Sequence, residues 1–121
     1  MEHQNLILLV DDDEPLRTAL SGEMKDAGFD VETADDGDTA ISKLKEKRFT
    51  LVLLDIKMPR VTGMEVLKFI RQNMPSTKVI VLTAVSDLKT AIEAKKLGAE
   101  DFIEKPYILD EVMGKVRQLT R

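Results

Sequence analysis

Four acidic residues, one hydroxyl and one amine stand where chemistry could be done. Asp11-Asp12-Asp13 follow directly on the apolar run Leu6 to Val10, and Asp55 follows Leu51 to Leu54. Thr83 closes the run Val79 to Thr83, and Lys105 comes just after Phe102-Ile103. If these runs are strands of one sheet, the six side chains gather along one edge. Crowded carboxylates raise one another's pKa values, whereas a divalent cation turns their repulsion into coordination. A set offering only oxygen suits a hard ion that keeps several waters, so Asp11, Asp12 and Asp55 predict Mg²⁺. Ca²⁺ wants more ligands and a dedicated loop, and zinc wants nitrogen or sulfur. A Thr donor and a Lys point charge beside that ion would bind and stabilise a phosphoryl group. Asp55 is then the natural nucleophile, since a carboxylate attacking phosphorus gives an acyl phosphate. Taken singly, Thr83 reads as a strand-end hydroxyl and Lys105 as a solvated lysine; their joint placement carries the reading. Asp13, beside Glu14-Pro15, fits better as the cap of a following helix. The same crowding predicts that the metal-free domain is less stable than it could be, and that neutralising Asp12 relieves it.

Composition narrows the field. The chain has 121 residues, of which 43% are apolar and 33% charged, with a formal net charge of −4. That is enough for one domain with its own core, and it excludes disorder. The absence of Cys excludes a disulfide framework, thiolate metal sites and a cysteine nucleophile, and a single His leaves little for a His-based metal site. The mildly acidic balance argues against direct binding to nucleic acid. Leu6 to Val10 is too short for a signal-peptide core or a membrane span, so no membrane association and a cytoplasmic location are expected.

The elements that must position these residues alternate. Phe29 to Thr33 completes a set of five short branched runs, each reading as a strand. Helical spacing links them: Leu16, Ala19, Leu20, Met24 and Ala27 between Pro15 and Gly28; Ala40, Ile41 and Leu44 after Asp36-Gly37; Met64, Leu67 and Ile70 before Pro75, with Thr62 and Glu65 at capping-box spacing; Leu88, Ala91, Ile92 and Leu97 before Gly98; and Leu109, Val112, Met113, Val116 and Leu119. Strand-helix alternation with nearly continuous apolar strands predicts an α/β domain, a doubly wound five-stranded parallel sheet with five helices and the flavodoxin-like order 2-1-3-4-5. Its switch point lies between strands one and three, so the residues after Val10 and Leu54 border the ligand crevice.

These residues resemble the receiver domain of bacterial two-component response regulators, of the chemotaxis-regulator type, over essentially the whole chain, 4–121. The resemblance is carried by Leu8-Leu9-Val10-Asp11-Asp12-Asp13, by Leu53-Leu54-Asp55-Ile56-Lys57-Met58-Pro59 with Gly63, by Val81-Leu82-Thr83-Ala84, and by Gly98-Ala99 leading to Phe102-Ile103-Glu104-Lys105-Pro106. It implies that Asp55 accepts phosphate from a phosphohistidine of a sensor histidine kinase or phosphotransfer protein. Asp12 would bind Mg²⁺ directly, Asp11 mainly through water, and the Lys57 carbonyl would complete the protein ligands. Thr83 would reorient toward the phosphoryl oxygens, Phe102 would turn inward behind it, and Lys105 would bridge to the phosphate. Packing explains an aromatic at Phe102 equally well. A cis Lys105-Pro106 peptide is implied too. Lys57 and Val85 would flank the route of attacking water and bear on phosphoryl lifetime. Tyr107 receives no role: its ring should pack and its hydroxyl reach water.

The resemblance implies no turnover enzyme, only self-catalysed phosphorylation and dephosphorylation. Output would pass through the fourth helix, fifth strand and fifth helix to an effector domain or protein, with a phosphorylation-dependent homodimer allowed, and the chain reads as a stand-alone receiver or one cut from a longer regulator. The mixed charges there, Lys89, Glu93, Lys95, Lys96, Glu100 and Glu104, name no partner. The rival reading is an aspartate-based phosphatase of haloacid dehalogenase type, using Asp11 and Asp13 as its Asp-x-Asp pair. A flavin module is disfavoured because carboxylates would repel its phosphate.

Overall fold

A computed structural model of the chain describes residues 5–58, 60–84 and 87–120. Strands and helices alternate throughout: β1 (Leu6–Val10), α1 (Glu14–Asp26), β2 (Asp30–Ala34), α2 (Gly37–Glu46), β3 (Leu51–Asp55), α3 (Gly63–Asn73), β4 (Lys78–Ala84), α4 (Leu88–Lys96), β5 (Asp101–Lys105) and α5 (Leu109–Leu119). All four strand pairings are parallel, in the order β2-β1-β3-β4-β5. The doubly wound expectation is met, with β1 and β3 adjacent at the reversal. Register pairs Val10 with Leu54 and Asp55 with Leu82, so the carboxyl ends of β1, β3 and β4 lie level.

The near-continuous apolar strands are explained by their two buried faces. Leu8, Val10, Val52, Leu54, Val79 and Val81 face one way, against Ala40 and Leu44 of α2, Val66, Leu67 and Ile70 of α3, and Ala94 of α4. The alternate residues Ile7, Leu9, Leu51, Leu53, Ile80 and Leu82 face Leu20 and Met24 of α1 and Val112, Met113 and Val116 of α5. The split of α1 and α5 from α2, α3 and α4 is what right-handed crossovers require when the strand order reverses after β2.

Helix starts are set by side chains read from the sequence. Asp13 caps α1 by accepting from the Leu16 N–H at 3.2 Å, Asp36 caps α2 through Thr39 N–H at 2.7 Å, and Thr62 with Glu65 forms the capping box of α3. Gly28 and Gly98 both sit at positive φ, 98° and 108°, just beyond α1 and α4.

Strand bounds differ from the apolar runs because polar residues continue the ladders: β3 includes Asp55, β2 ends at Ala34, and β5 runs from Asp101 to Lys105. The larger correction concerns α4. Of its expected apolar stripe, Leu88, Ile92 and Leu97 are 46%, 48% and 38% exposed, and Ala91 alone faces the sheet, together with Ala94. The helix lies against the strands through alanines, which leaves its larger apolar residues outside.

Gly63 shows how tightly β3 and α3 are joined. A Cβ there would overlap the Asp55 carbonyl oxygen and lie 2.6 Å from Ile56 Cα, whereas one at Gly22 or Gly114 would meet nothing within 4 Å. Gly63→Ala should therefore cost about 1 to 3 kcal/mol through backbone displacement. Gly22→Ala and Gly114→Ala, inside exposed helix faces, should each stabilise by about 0.5 to 1 kcal/mol. Urea midpoints of the three variants check the opposite signs.

Candidate functional site

The crevice at the β1/β3 reversal holds the predicted acids. Asp11 follows β1 and is wholly buried, Asp55 ends β3 at 6% exposure, and Asp12 is exposed at the rim. One ligand oxygen from each lies within 4.8 Å of the others. Buried carboxylates need donors, and the local backbone supplies them. Asp13 N–H donates to Asp11 Oδ1 at 3.0 Å, and Lys57 N–H to Asp55 Oδ1 at 3.3 Å. The Arg17 guanidinium donates to the Asp11 carbonyl at 2.8 Å, tying α1 to the end of β1.

Lys105 enters from the far end of the sheet. Its Nζ lies 2.9 Å from Asp11 Oδ2 and 3.4 Å from Asp55 Oδ2, so one ammonium joins both carboxylates. Burial pushes the Asp55 carboxyl up to about 6; Lys105 opposes the shift and Asp11 adds to it. Burial would lower the Lys105 ammonium, but its bonds to Asp11 and Asp55 hold it above the usual value. Burial, more than crowding, thus sets the Asp55 value. Asp12, where the sequence placed the relief of strain, stands in solvent that screens its charge.

The remaining predicted residues are near but turned elsewhere. Thr83 is buried at the carboxyl end of β4, and its hydroxyl donates to the carbonyls of Ala84 and Asp87 at 3.3 and 3.5 Å. The Lys57 ammonium pairs with the Asp87 carboxylate at 3.2 Å, bridging the loops after β3 and β4. Phe102 is half-buried against the core on the α3 and α4 side, opposite Val81 in register. The Lys105-Pro106 peptide is cis, as the resemblance implied. Val85 lies outside the described residues, as does Pro59 of the β3 motif. Asp13 spends a carboxylate oxygen on the α1 cap, as the sequence predicts.

Sequence reasoning missed three features. Arg17 has no motif to mark it, and the Lys57–Asp87 pair joins residues from separate loops. The third is Tyr107, whose hydroxyl does not reach water: it is buried, and among the described residues no group pairs with it. Its place two residues beyond Lys105 was the available signal.

Comparison with known proteins agrees with this geometry. The family model described as response regulator receiver domain matches residues 7–117. The transcriptional regulatory protein DltR of Streptococcus agalactiae is 36% identical over 115 residues, covering 95% of this chain and 51% of that protein. The receiver domain of NtrX from Brucella abortus superposes with a TM-score of 0.89 at 32% identity, covering 93% of this chain and 96% of that one. Chemotaxis protein CheY4 of Vibrio cholerae gives 0.88 at 30% identity, with 97% and 99% covered. The chain spans about half the length of most curated relatives it matches.

The raised Asp55 value has a consequence for stability. Between its ordinary 3.8 and about 6 the folded chain keeps a proton that the unfolded chain has released, so metal-free stability falls as pH rises through that window and stays lower above it. Asp55→Asn removes the buried charge and should stabilise the metal-free domain at neutral pH by on the order of 1 to 3 kcal/mol, an advantage that shrinks toward acid pH. Urea titrations in EDTA at neutral and acidic pH test this; a variant no more stable than wild type at neutral pH refutes it.

Proposed function

The chain belongs to the response regulator receiver domain family of two-component systems, and from that membership and the crevice geometry we propose that Asp55 is its phosphoacceptor, served by Mg²⁺, Thr83 and Lys105. The observation that carries the proposal is the single Lys105 ammonium joining Asp11 and Asp55 beside a three-carboxylate cluster. An Asp55 oxygen attacks the phosphorus of a phosphohistidine, the P–N bond breaks, and the imidazole leaves with the electron pair. Attack by water later releases inorganic phosphate and regenerates the carboxylate, so the domain catalyses only its own modification.

Asp11, Asp12 and Asp55 fit a hard cation, because their oxygens converge while Asp12 stays open to solvent and the ion's remaining waters. The Lys57 carbonyl, one residue past the Asp55–Ile56 peptide, is the fourth protein ligand in this reading. When bound, Mg²⁺ supplies charge neutralisation for the transferred group. Lys105 follows the negative charge onto the phosphoryl oxygens, and Thr83 exchanges its long loop contacts for a charge-assisted bond. Phe102 then fills the space behind Thr83.

The donor would be a sensor histidine kinase or phosphotransfer protein, and the output surface α4, β5 and α5. Leu88 and Ile92, one turn apart on α4, and Ile108 before α5 are exposed there, which supports a protein partner, an attached effector domain or a second copy on phosphorylation. A regulator with a transcriptional output, as the name of DltR states for that protein, fits the length relation. Among the described residues no helix is long and apolar enough to cross a membrane; a cytoplasmic setting fits this reading.

Incubation with acetyl phosphate and Mg²⁺ should add one phosphoryl mass to the wild-type chain and none to Asp55→Asn, and EDTA should abolish the uptake; equal uptake by the variant sinks the assignment. Thr83→Ala should still accept phosphate but lose most of the amide shift change that wild type shows along α4 and β5. An unaltered shift pattern in that variant contradicts the switch role.

A further inference from the structure

We propose that Arg17 is a positioning residue of the cation site: it brackets Asp12 with two bonds and so sets where the exposed carboxylate of that residue points. The inference rests on Asp11, Asp12 and Asp55 holding a divalent cation, as proposed above. Asp11 and Asp55 are buried side chains with donors of their own, Asp13 N–H, Lys57 N–H and the Lys105 ammonium. Asp12 has none of this. It stands in solvent, and among the described residues no donor reaches its carboxylate. Yet one of its oxygens lies within 4.8 Å of an oxygen of each of the other two acids. The backbone on either side must therefore set its direction.

Arg17 holds that backbone on both sides. Its guanidinium Nη1 donates to the Asp11 carbonyl at 2.8 Å, and its own N–H donates to the Asp13 carbonyl at 2.9 Å. A peptide is planar, so fixing the Asp11 carbonyl oxygen fixes the plane that carries the Asp12 nitrogen. The Asp12 side chain stands between the two bonded carbonyls. A further hold runs from Asp13 N–H to Asp11 Oδ1, but it uses an oxygen of the acid cluster itself, on which a cation or its water would draw. The Arg17 bonds use no such atom, so they are compatible with a bound cation. The helix gives them a firm base, since Asp13 caps α1 through Leu16 N–H and Arg17 lies in its first turn. The N–H bond does not depend on the side chain; the guanidinium bond is what an arginine contributes. Without it the Asp11–Asp12 peptide can turn, and ordering Asp12 would be charged against each binding event.

Titration of the metal-free chain with MgCl₂, followed by calorimetry and by the amide shifts of Asp12 and Asp13, tests this without any phosphodonor. Arg17→Met keeps the aliphatic stem and removes the donor; it should need roughly five- to tenfold more Mg²⁺ for half-saturation, the equivalent of one net hydrogen bond. Arg17→Lys, which still presents a cationic donor, should recover most of that loss. Arg17 belongs to neither core layer, so both variants should fold, and urea curves in EDTA verify it. On an Asp12→Asn background Arg17→Met should have little further effect, because the arginine acts through Asp12. In phosphoryl uptake from acetyl phosphate, the loss should fall on the Mg²⁺ concentration required rather than on the rate at saturation. A merely structural arginine would lower the urea midpoint equally with and without Mg²⁺ and leave the titration alone. One acting only by its charge would repel the ion, and its removal would tighten binding. An unchanged or lower Mg²⁺ midpoint in Arg17→Met, or an equal loss on the Asp12→Asn background, overturns this inference and spares the phosphoacceptor reading. A wild-type chain that neither binds Mg²⁺ nor takes up phosphate overturns both.

Discussion

One ammonium makes the crevice possible. Asp11 and Asp55 are two carboxylates with almost no access to water, and like charges in such surroundings repel strongly. Lys105 lies within 3.4 Å of both, reaching from β5 past β4 to the ends of β3 and β1. The backbone donors at Asp13 and Lys57 hold the other oxygens. Three separate turns of chain must therefore end level for the acids to coexist, and the parallel register that aligns β1, β3, β4 and β5 does this. Burial, with a smaller contribution from Asp11, outweighs the lysine and raises the Asp55 value. In the proposed function a divalent cation would supply the positive charge that Lys105 alone does not.

Around that bridge the crevice has one firm wall and one loose wall. On the β3 side, Gly63 N–H donates to the Ile56 carbonyl at 2.9 Å, and Gly37 lies so close to Val61 that a Cβ would overlap it. Arg60 holds a left-handed φ of 63°, a conformation with a cost for a residue with a Cβ, and its guanidinium pairs with Asp36 and Asp38 at the start of α2. On the β4 side, among the described residues, the side-chain ties are the Lys57–Asp87 pair, whose lysine is largely exposed, and the two long hydroxyl contacts of Thr83. Asp87, which precedes α4, makes no side-chain cap, and the helix meets the sheet through Ala91 and Ala94.

What could be read from the sequence follows from how local each determinant is. Strand and helix order, the α1 cap at Asp13 and the Thr62–Glu65 box depend on neighbours within a few residues, and all were legible. Asp11, Asp12 and Asp55 were legible as a group because the parallel order brings strand ends together whatever their side chains do. The inward face of α4 was not, since the choice between Ala91 with Ala94 and Leu88 with Ile92 depends on how closely the helix approaches the sheet. The direction of the Thr83 hydroxyl, the Lys57–Asp87 pair and the buried Tyr107 hydroxyl depend on loops that meet only after folding. Which of the three adjacent acids Asp11, Asp12 and Asp13 the chain buries was not legible either, because spacing says nothing about it.

The energetics of switching suit these two walls. Moving a two-state equilibrium from 1:99 to 99:1 takes about 5.5 kcal/mol of differential interaction. A phosphoryl group on Asp55 can offer charge-assisted bonds to Lys105 and Thr83, each on the order of 1.5 to 3 kcal/mol. In exchange the chain gives up two hydroxyl contacts of 3.3 and 3.5 Å, which are weak by their length. Sliding α4 disturbs the burial of two alanines rather than of leucines, so the opposing hydrophobic term is small. On the β3 side Gly63 and Gly37 keep their loops packed more closely than any residue with a Cβ would allow. In the proposed function a change at Asp55 would therefore pass more readily along β4 than along β3, toward the α4 surface where Leu88 and Ile92 stand exposed.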